Sequence, residues 1–315
     1  MIGNRLLLHA AFLTAAPIIV AWFGLSVSAA VLLVLLLLLW RWLVILSGYV
    51  VPANTPPLIL STIAASHFVE KVRWSMDRLG VDYVERPAGG AMGAFFLGRT
   101  VPQLKARTGA VQSVIGNSAE ILRYLWGRYE ADDPARAAFL RPTQERIDFE
   151  SRLDQYGASL QVWVYYHVLD DRALTLRAWG AEDPATPRWQ RYLLRVLFPV
   201  LRALIRRSFR ITEANYQKSV SRIEALLDET NGWLADDRPS LLNDGELNYT
   251  DFAFAAMTGL WLMCPQYGGG RAAAVRIELQ QAPPAMRADV ERWSEKFPRA
   301  VGFVERLYRE ERNVK

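Results

Sequence analysis

Residues 6–51 read LLLHAAFLTAAPIIVAWFGLSVSAAVLLVLLLLLWRWLVILSGYVV, and no other stretch restricts the chain's options so severely. About 20 apolar residues cross a bilayer, and this run is roughly twice that length. It breaks at GLSVS (24–28), which divides it into spans of 6–24 and 28–48 joined by a tight turn without charge. Arg5 precedes the first span. Arg41, between Trp40 and Trp42, lies near the end of the second, where its head group can reach the interface. Both basic ends then fall on one side, and the positive-inside rule places that side in the cytoplasm. A cleaved signal peptide does not fit, because its apolar region spans only about 7–15 residues. The sequence thus predicts a transmembrane hairpin over 1–50, with the remainder of the chain on the cytoplasmic side. A single long tilted span stands as the rival, and it would reverse the side of one end.

SGYVVPANTPP (47–57) stops the membrane helix with three prolines, and 51–57 is read as a linker. The rest of the 315-residue chain is long enough for a substantial core, and 51% hydrophobic residues with eleven tryptophans exclude wholesale disorder. A net charge of +5 suits anionic ligands or an anionic membrane surface. No nucleic-acid-binding motif accompanies it, so nucleic acid is not an expected partner. The one cysteine, Cys264, follows an apolar stretch and reads as a small buried hydrophobe. No metal-ligand spacing, Gly-rich nucleotide loop, HExxH or GxSxG is present.

LILSTIA (58–64) predicts a buried strand and HFVEKVRWSMDRLG (67–80) a helix, with Phe68, Val72, Met76 and Leu79 at helical spacing and Gly80 at its end. VDYVE (81–85) alternates as a second strand. VPQL (101–104) and VQSVIG (111–116) predict two short strands with a turn at RTGA, and SAEILRYLWGRY (118–129) predicts a helix. EADDPARAAFLRP (130–142) reads as an inter-domain linker. Beyond it nearly everything has helical period, with helices expected over 143–169, 187–210, 213–235, Asn248–Met263, and a final pair over 284–311.

Four stretches carry a family resemblance. SHFVEKVRW, VPQL, GNSAEILRYL and LNYTDFAFA are similar, in order and spacing, to motifs of the soluble glutathione S-transferases, of the type that uses a serine. The resemblance covers 58–315. It implies an α/β plus all-α fold: a thioredoxin-like domain over 58–130 that binds glutathione, followed by an all-helical domain over 131–315. It also implies glutathione as co-substrate, an apolar electrophile as second substrate, and a homodimer. Ser66 matches the family's catalytic serine. A hydroxyl at a helix N-terminus, beside unpaired N–H groups, can donate to a thiolate and stabilise it; the same serine can also act as a simple cap. Pro102 matches the family's cis proline, which exposes the backbone of Val101 for pairing with glutathione; the alternative is a trans proline opening an edge strand. Ser118, after Asn117, matches the position that holds the γ-glutamyl carboxylate, although the family usually has Glu or Gln where Asn117 stands; a plain helix cap is the competing reading. Arg99, one position out of register with the family's lysine, is a candidate for the glycyl carboxylate. His67 replaces the family's usual proline and is expected to face solvent from the first turn. Tyr156, Trp163 and Tyr166 are candidates for the lining of an apolar substrate pocket, with core packing as the alternative. Asn248 and Asp251 form a capping box, a folding feature.

One segment is not absorbed by this resemblance. In RWQRYLLRVLFPVLRALIRRSFR (188–210), Arg188, Arg191, Arg195, Arg202, Arg206 and Arg210 fall within an arc of about 100° on one helix. Leu193, Leu197, Val200, Leu201 and Leu204 lie opposite. Pro199 is expected to kink or divide the helix. A core-packed helix with a solvated basic face and a basic stripe on anionic headgroups are both consistent with the pattern. Two functions stand at this point. One is a membrane-anchored transferase joining glutathione thiolate to a lipophilic electrophile, and the other is a membrane scaffold that keeps the fold without the activity.

Overall fold

The computed structural model of the chain describes Trp22 and residues 26–49, 56–88, 101–109 and 111–312. It divides into two compact units, one containing the first helix and Ala106–Ser113, the other Leu58–Lys105 and Val114–Lys315.

In the first unit, helix α1 runs Val27–Tyr49. Ser26 opens it, its Oγ accepting from Ala29 N at 3.3 Å. Twenty-three residues span about 34 Å of helix, and Val31, Leu35 and Leu39 are exposed along it. These bounds agree with the second expected span; the first expected span lies outside the described residues, Trp22 apart. Among the described residues no helix is long and apolar enough to cross a membrane, the side chains of residues 40, 41 and 43–49 falling outside that description.

The second unit begins with strand β1 (Leu58–Thr62), buried throughout, and helix α2 (His67–Arg78). Strand β2 (Val84–Pro87) pairs in parallel with β1, Ile59 facing Val84 and Thr62 facing Pro87. The second strand therefore starts later than the alternation of 81–85 suggests. Val81 is instead drawn into the core, and Tyr83 turns its hydroxyl back onto Asp77 of α2 at 3.0 Å. Strands β3 (Gln103–Thr108) and β4 (Val111–Gly116) are joined by two residues, so they are antiparallel neighbours. The sheet order is β2-β1-β3-β4. Helix α3 (Ser118–Tyr129) follows. The order βαβ then ββα is that of a thioredoxin-like module.

The stretch 130–142 is not a plain linker. A short helix, α4 (Pro134–Ala137), is capped by Asp133, and a single 3₁₀ turn follows it, with Ala137 and Leu140 buried. The helices beyond are α5 (Gln144–Val168), α6 (Arg172–Ala178), α7 (Arg188–Val196), α8 (Phe198–Ser208), α9 (Glu213–Trp233), α10 (Tyr249–Leu262), α11 (Pro284–Lys296) and α12 (Pro298–Glu310). The helix expected over 187–210 is two helices. Pro199 in the first turn of α8 has no N–H to bond back into α7, and α7 closes with Leu197 N donating to Leu193 O. Helix α10 lies at the centre, all but two of its fourteen residues buried, and its Phe252, Phe254 and Trp261 share one core with Trp163 of α5 and Trp293 of α11.

Candidate functional site

Three features of the sequence converge on one end of the sheet. Arg107 N, late in β3, donates to Pro57 O just before β1 at 2.8 Å. Strands β1 and β3 are adjacent, so β3 runs opposite to β1 and its start lies by the end of β1. The hairpin puts the end of β4 beside that same start. Ser66 after β1, Val101 and Pro102 before β3, and Ser118 after β4 therefore share one edge. The Val101–Pro102 peptide is cis, and both residues are buried.

Ser66 is the N-cap of α2, with extended backbone, and its Oγ accepts from Val69 N at 3.4 Å. That is a long bond, and accepting it leaves the hydroxyl's own proton for an anion at the helix end. Asn117 caps α3 from a positive φ of 73°, its Oδ1 accepting from Ala119 N at 3.1 Å. Its carbonyl oxygen is thus engaged with the helix, while its Nδ2 donors remain chemically suited to a carboxylate. Ser118 is the first helical residue and is 2% exposed. Arg99 lies outside the described residues, as do all residues from 89 to 100 that join β2 to this edge in the chain.

His67 does not face solvent as expected. It is buried against Phe68, ring centroids 4.4 Å apart, and over Gly157 of α5. A Cβ on Gly157 would meet Phe68 Cζ at 2.9 Å and His67 Nε2 at 3.0 Å, so only glycine lets α5 come this close to the start of α2. Burial pulls the imidazole pKa down to about 4, against a smaller upward effect of the Gly157 backbone. His67 is therefore neutral near neutral pH, and any stabilisation of an anion here comes from the Ser66 hydroxyl and the N–H groups of α2.

The expected pocket lining is mostly core. Tyr156 is buried, bonded to Thr258 Oγ1 at 3.1 Å and accepting from Trp261 Nε1 at 3.0 Å. Trp163 is fully buried and donates to Asp289 Oδ2 at 2.8 Å. Each polar handle is thus spent inside the protein. Tyr166 differs: it is half-buried, stacks on Tyr216 at 4.0 Å and donates to Glu213. Two open clefts, of about 610 Å³ around Arg207 and about 700 Å³ around Arg78, are lined by neither Ser66, Pro102 nor Ser118. Among the described residues no cluster of three His, Cys, Asp or Glu is placed to hold a metal ion. Cys264 is buried, and desolvation pushes its thiol up to about 12, so it supplies no thiolate.

Sequence reasoning missed the charged inner face of α2. Lys71 is fully buried and pairs with Glu150 at 2.6 Å and Asp154 at 3.5 Å, both on α5. Glu150 also takes Arg123 of α3, whose Nη2 donates to Tyr249 Oη at 3.0 Å. On the other side, Arg73 forms a bidentate pair with Glu85 and donates to Ala64 O at 3.1 Å. Glu70 and Asp77 both accept from Arg312 at 2.8 Å. The helix whose N-terminus carries Ser66 is thereby held at four charged positions.

No protein-family model matches the chain, and no curated protein matches it. Among solved structures the chain is similar to a glutathione S-transferase from Methylobacillus flagellatus KT with glutathione bound, at 13% identity over 82% of this chain and 100% of that one, TM-score 0.49. It is also similar to a transferase from Methylobacterium radiotolerans JCM 2831 in complex with glutathione sulfonate (13% identity, 82% and 95%, TM-score 0.45). FzlA from C. crescentus is a third (15%, 80% and 88%, TM-score 0.44). At these identities and scores the likeness carries nothing about chemistry.

Proposed function

We propose that the chain is a glutathione transferase held at a membrane by its N-terminal segment, with 58–130 binding glutathione and 131–315 contributing the second-substrate side. The observation that carries this reading is the meeting of Ser66, the cis Val101–Pro102 peptide and the Ser118 helix start at one end of the sheet. In this reading Ser66 Oγ–H donates to the sulfur of glutathione and lowers its thiol pKa. The backbone of Val101 pairs with the tripeptide as an added strand, and the start of α3 takes the γ-glutamyl carboxylate. The sulfur lone pair attacks an electrophilic carbon, and the displaced group leaves with its electron pair. The exposed leucines of α1 and the apolar run from residue 6 support a membrane location and a lipophilic electrophile.

The detergent-solubilised full chain, titrated with glutathione while thiolate absorbance is followed, tests the reading. Bound glutathione is expected to ionise at lower pH than free glutathione. Ser66→Ala is expected to abolish that shift and to reduce kcat/KM for conjugation of a generic aryl halide by roughly 10²-fold, with glutathione affinity nearly unchanged. An unshifted thiol in the wild type rejects it.

A second reading is a scaffold without activity. It is favoured by the engagement of Asn117 Oδ1 with Ala119 N and by the uncharged His67. Failure of the wild type to bind glutathione at all selects it.

A further inference from the structure

The surface of α7 and α8 belongs to no part of the proposed chemistry. Residues 184–212 contain seven arginines and no carboxylate. The two helices are fixed to the protein on one side only, where Leu194, Phe198 and Leu201 join Trp179 and Ile211 in a small core of their own. The other side carries apolar groups into water: Trp189 is 53% exposed, Tyr192 66%, Val200 58% and Leu204 48%. In the sequence, Val200 and Leu204 lie opposite the arginine row, with core packing as one of two readings. Leu194, Phe198 and Leu201 keep one helical spacing across the break at Leu197, and Val200 and Leu204 lie off that buried row.

Basic residues border this apolar strip. Arg202 and Arg206 are both balanced by Asp170, at 2.8 and 2.5 Å. Arg207, Arg210 and Lys218 line the open cleft of about 610 Å³ where α8 gives way to α9. An aromatic and aliphatic strip edged by arginines has the composition of a helix that lies in a membrane interface, its apolar side chains among the acyl boundary and its cations at the headgroups. Nucleic acid would leave Val196, Val200 and Leu204 without apolar partners. A second copy docked face to face would oppose one arginine row to another.

We propose that α7 and α8 form a peripheral docking surface for an anionic phospholipid bilayer, separate from the N-terminal apolar segment and independent of glutathione. Trp189, Tyr192, Val200 and Leu204 enter the interface, while Arg207 and Arg210 meet lipid phosphates. Each such arginine near an anionic surface is worth about five-fold in partitioning.

The test uses the full chain carrying Val200→Cys, labelled with an environment-sensitive fluorophore at that exposed position, the native Cys264 being buried. The protein is reconstituted into vesicles of phosphatidylcholine alone or of phosphatidylcholine with phosphatidylglycerol. In the anionic vesicles the label is expected to shift to the blue, to be quenched by lipid-borne nitroxide and to lose access to aqueous iodide. In phosphatidylcholine alone it is expected to stay accessible. Arg207→Glu with Arg210→Glu is expected to weaken this lipid-dependent protection by at least about 25-fold, and Leu204→Glu to remove the nitroxide quenching. Circular dichroism checks that each exposed-site variant stays folded. Equal iodide access in both vesicles overturns the proposal. So does protection that grows with protein concentration without lipid, which identifies a second copy. Protection by an oligonucleotide in place of vesicles also overturns it.

Discussion

His67 shows what a single close approach does to a titratable group. Gly157 admits the ring to the interior, and desolvation then lowers its pKa from 6.5 to about 4. In the unfolded chain the same imidazole takes up a proton first as the pH falls. Its contribution to stability is therefore intact above about 6.5 and is lost as the pH drops toward 4. Between about pH 7.5 and pH 5 the loss is about 2 kcal/mol. Asp251 opposes it. Burial raises its carboxyl to about 7, so its contribution is greatest in acid and fades as the pH rises through that value. The two effects nearly cancel in the wild type. Urea unfolding of His67→Leu at the two pH values isolates the histidine: the variant is expected to gain about 2 kcal/mol relative to wild type on going to the lower pH. An unchanged difference between variant and wild type would mean that the ring is hydrated in solution.

At the scale of elements, α2 is the piece on which the site depends, and it is held by charge as much as by packing. Lys71 has no water to return to, so Lys71→Met leaves Glu150 buried with only Arg123 as counter-ion. A loss of about 3 kcal/mol is expected on chemical denaturation. Adding Glu150→Leu is expected to recover part of it, because the stranded charge is gone; a further loss of equal size would place the energetics in packing instead. None of this pairing shows in the sequence, where only the apolar spacing of Phe68, Val72, Met76 and Leu79 marks the helix. Local signals carry elsewhere. Strand β4 and helices α3 and α10 fall at the expected residues, since the turn within RTGA and the Asn-x-x-Asp capping box fix their ends within a few positions, although the cap of α3 is Asn117 and not Ser118. The grouping of Ser66, Pro102 and Ser118 is an expectation of the family resemblance, and the strand order puts the three at one edge of the sheet. What was not legible needed distant partners. His67 is buried by a glycine ninety positions on, and the pocket candidates Tyr156 and Trp163 find Trp261 and Asp289.

Across the second unit as a whole, the residue that closes the structure is Arg312. Its side chain is fully buried, donating to Glu70 and Asp77 and lying 5.4 Å from the centre of the Trp74 ring. Gly269, at a φ of +60°, makes room for it: a Cβ there would sit 2.9 Å from the guanidinium. Replacing the arginine leaves Glu70 buried and uncompensated, at a cost of about 3–5 kcal/mol. Arg312→Met is expected to lower the thermal midpoint by about 10 °C, measured by intrinsic fluorescence in detergent. A drop of only one or two degrees would mean that water reaches Glu70 in solution.

Glu70 and Arg312 stand 242 residues apart. During synthesis, α2 leaves the ribosome with a carboxylate that has no counter-charge until nearly all the rest of the unit has followed. The helix that presents Ser66 thus cannot settle early. A nascent chain stopped short of Arg312 carries an interior anion with nowhere to go, and proteases that inspect loosely folded chains would find it before it could close.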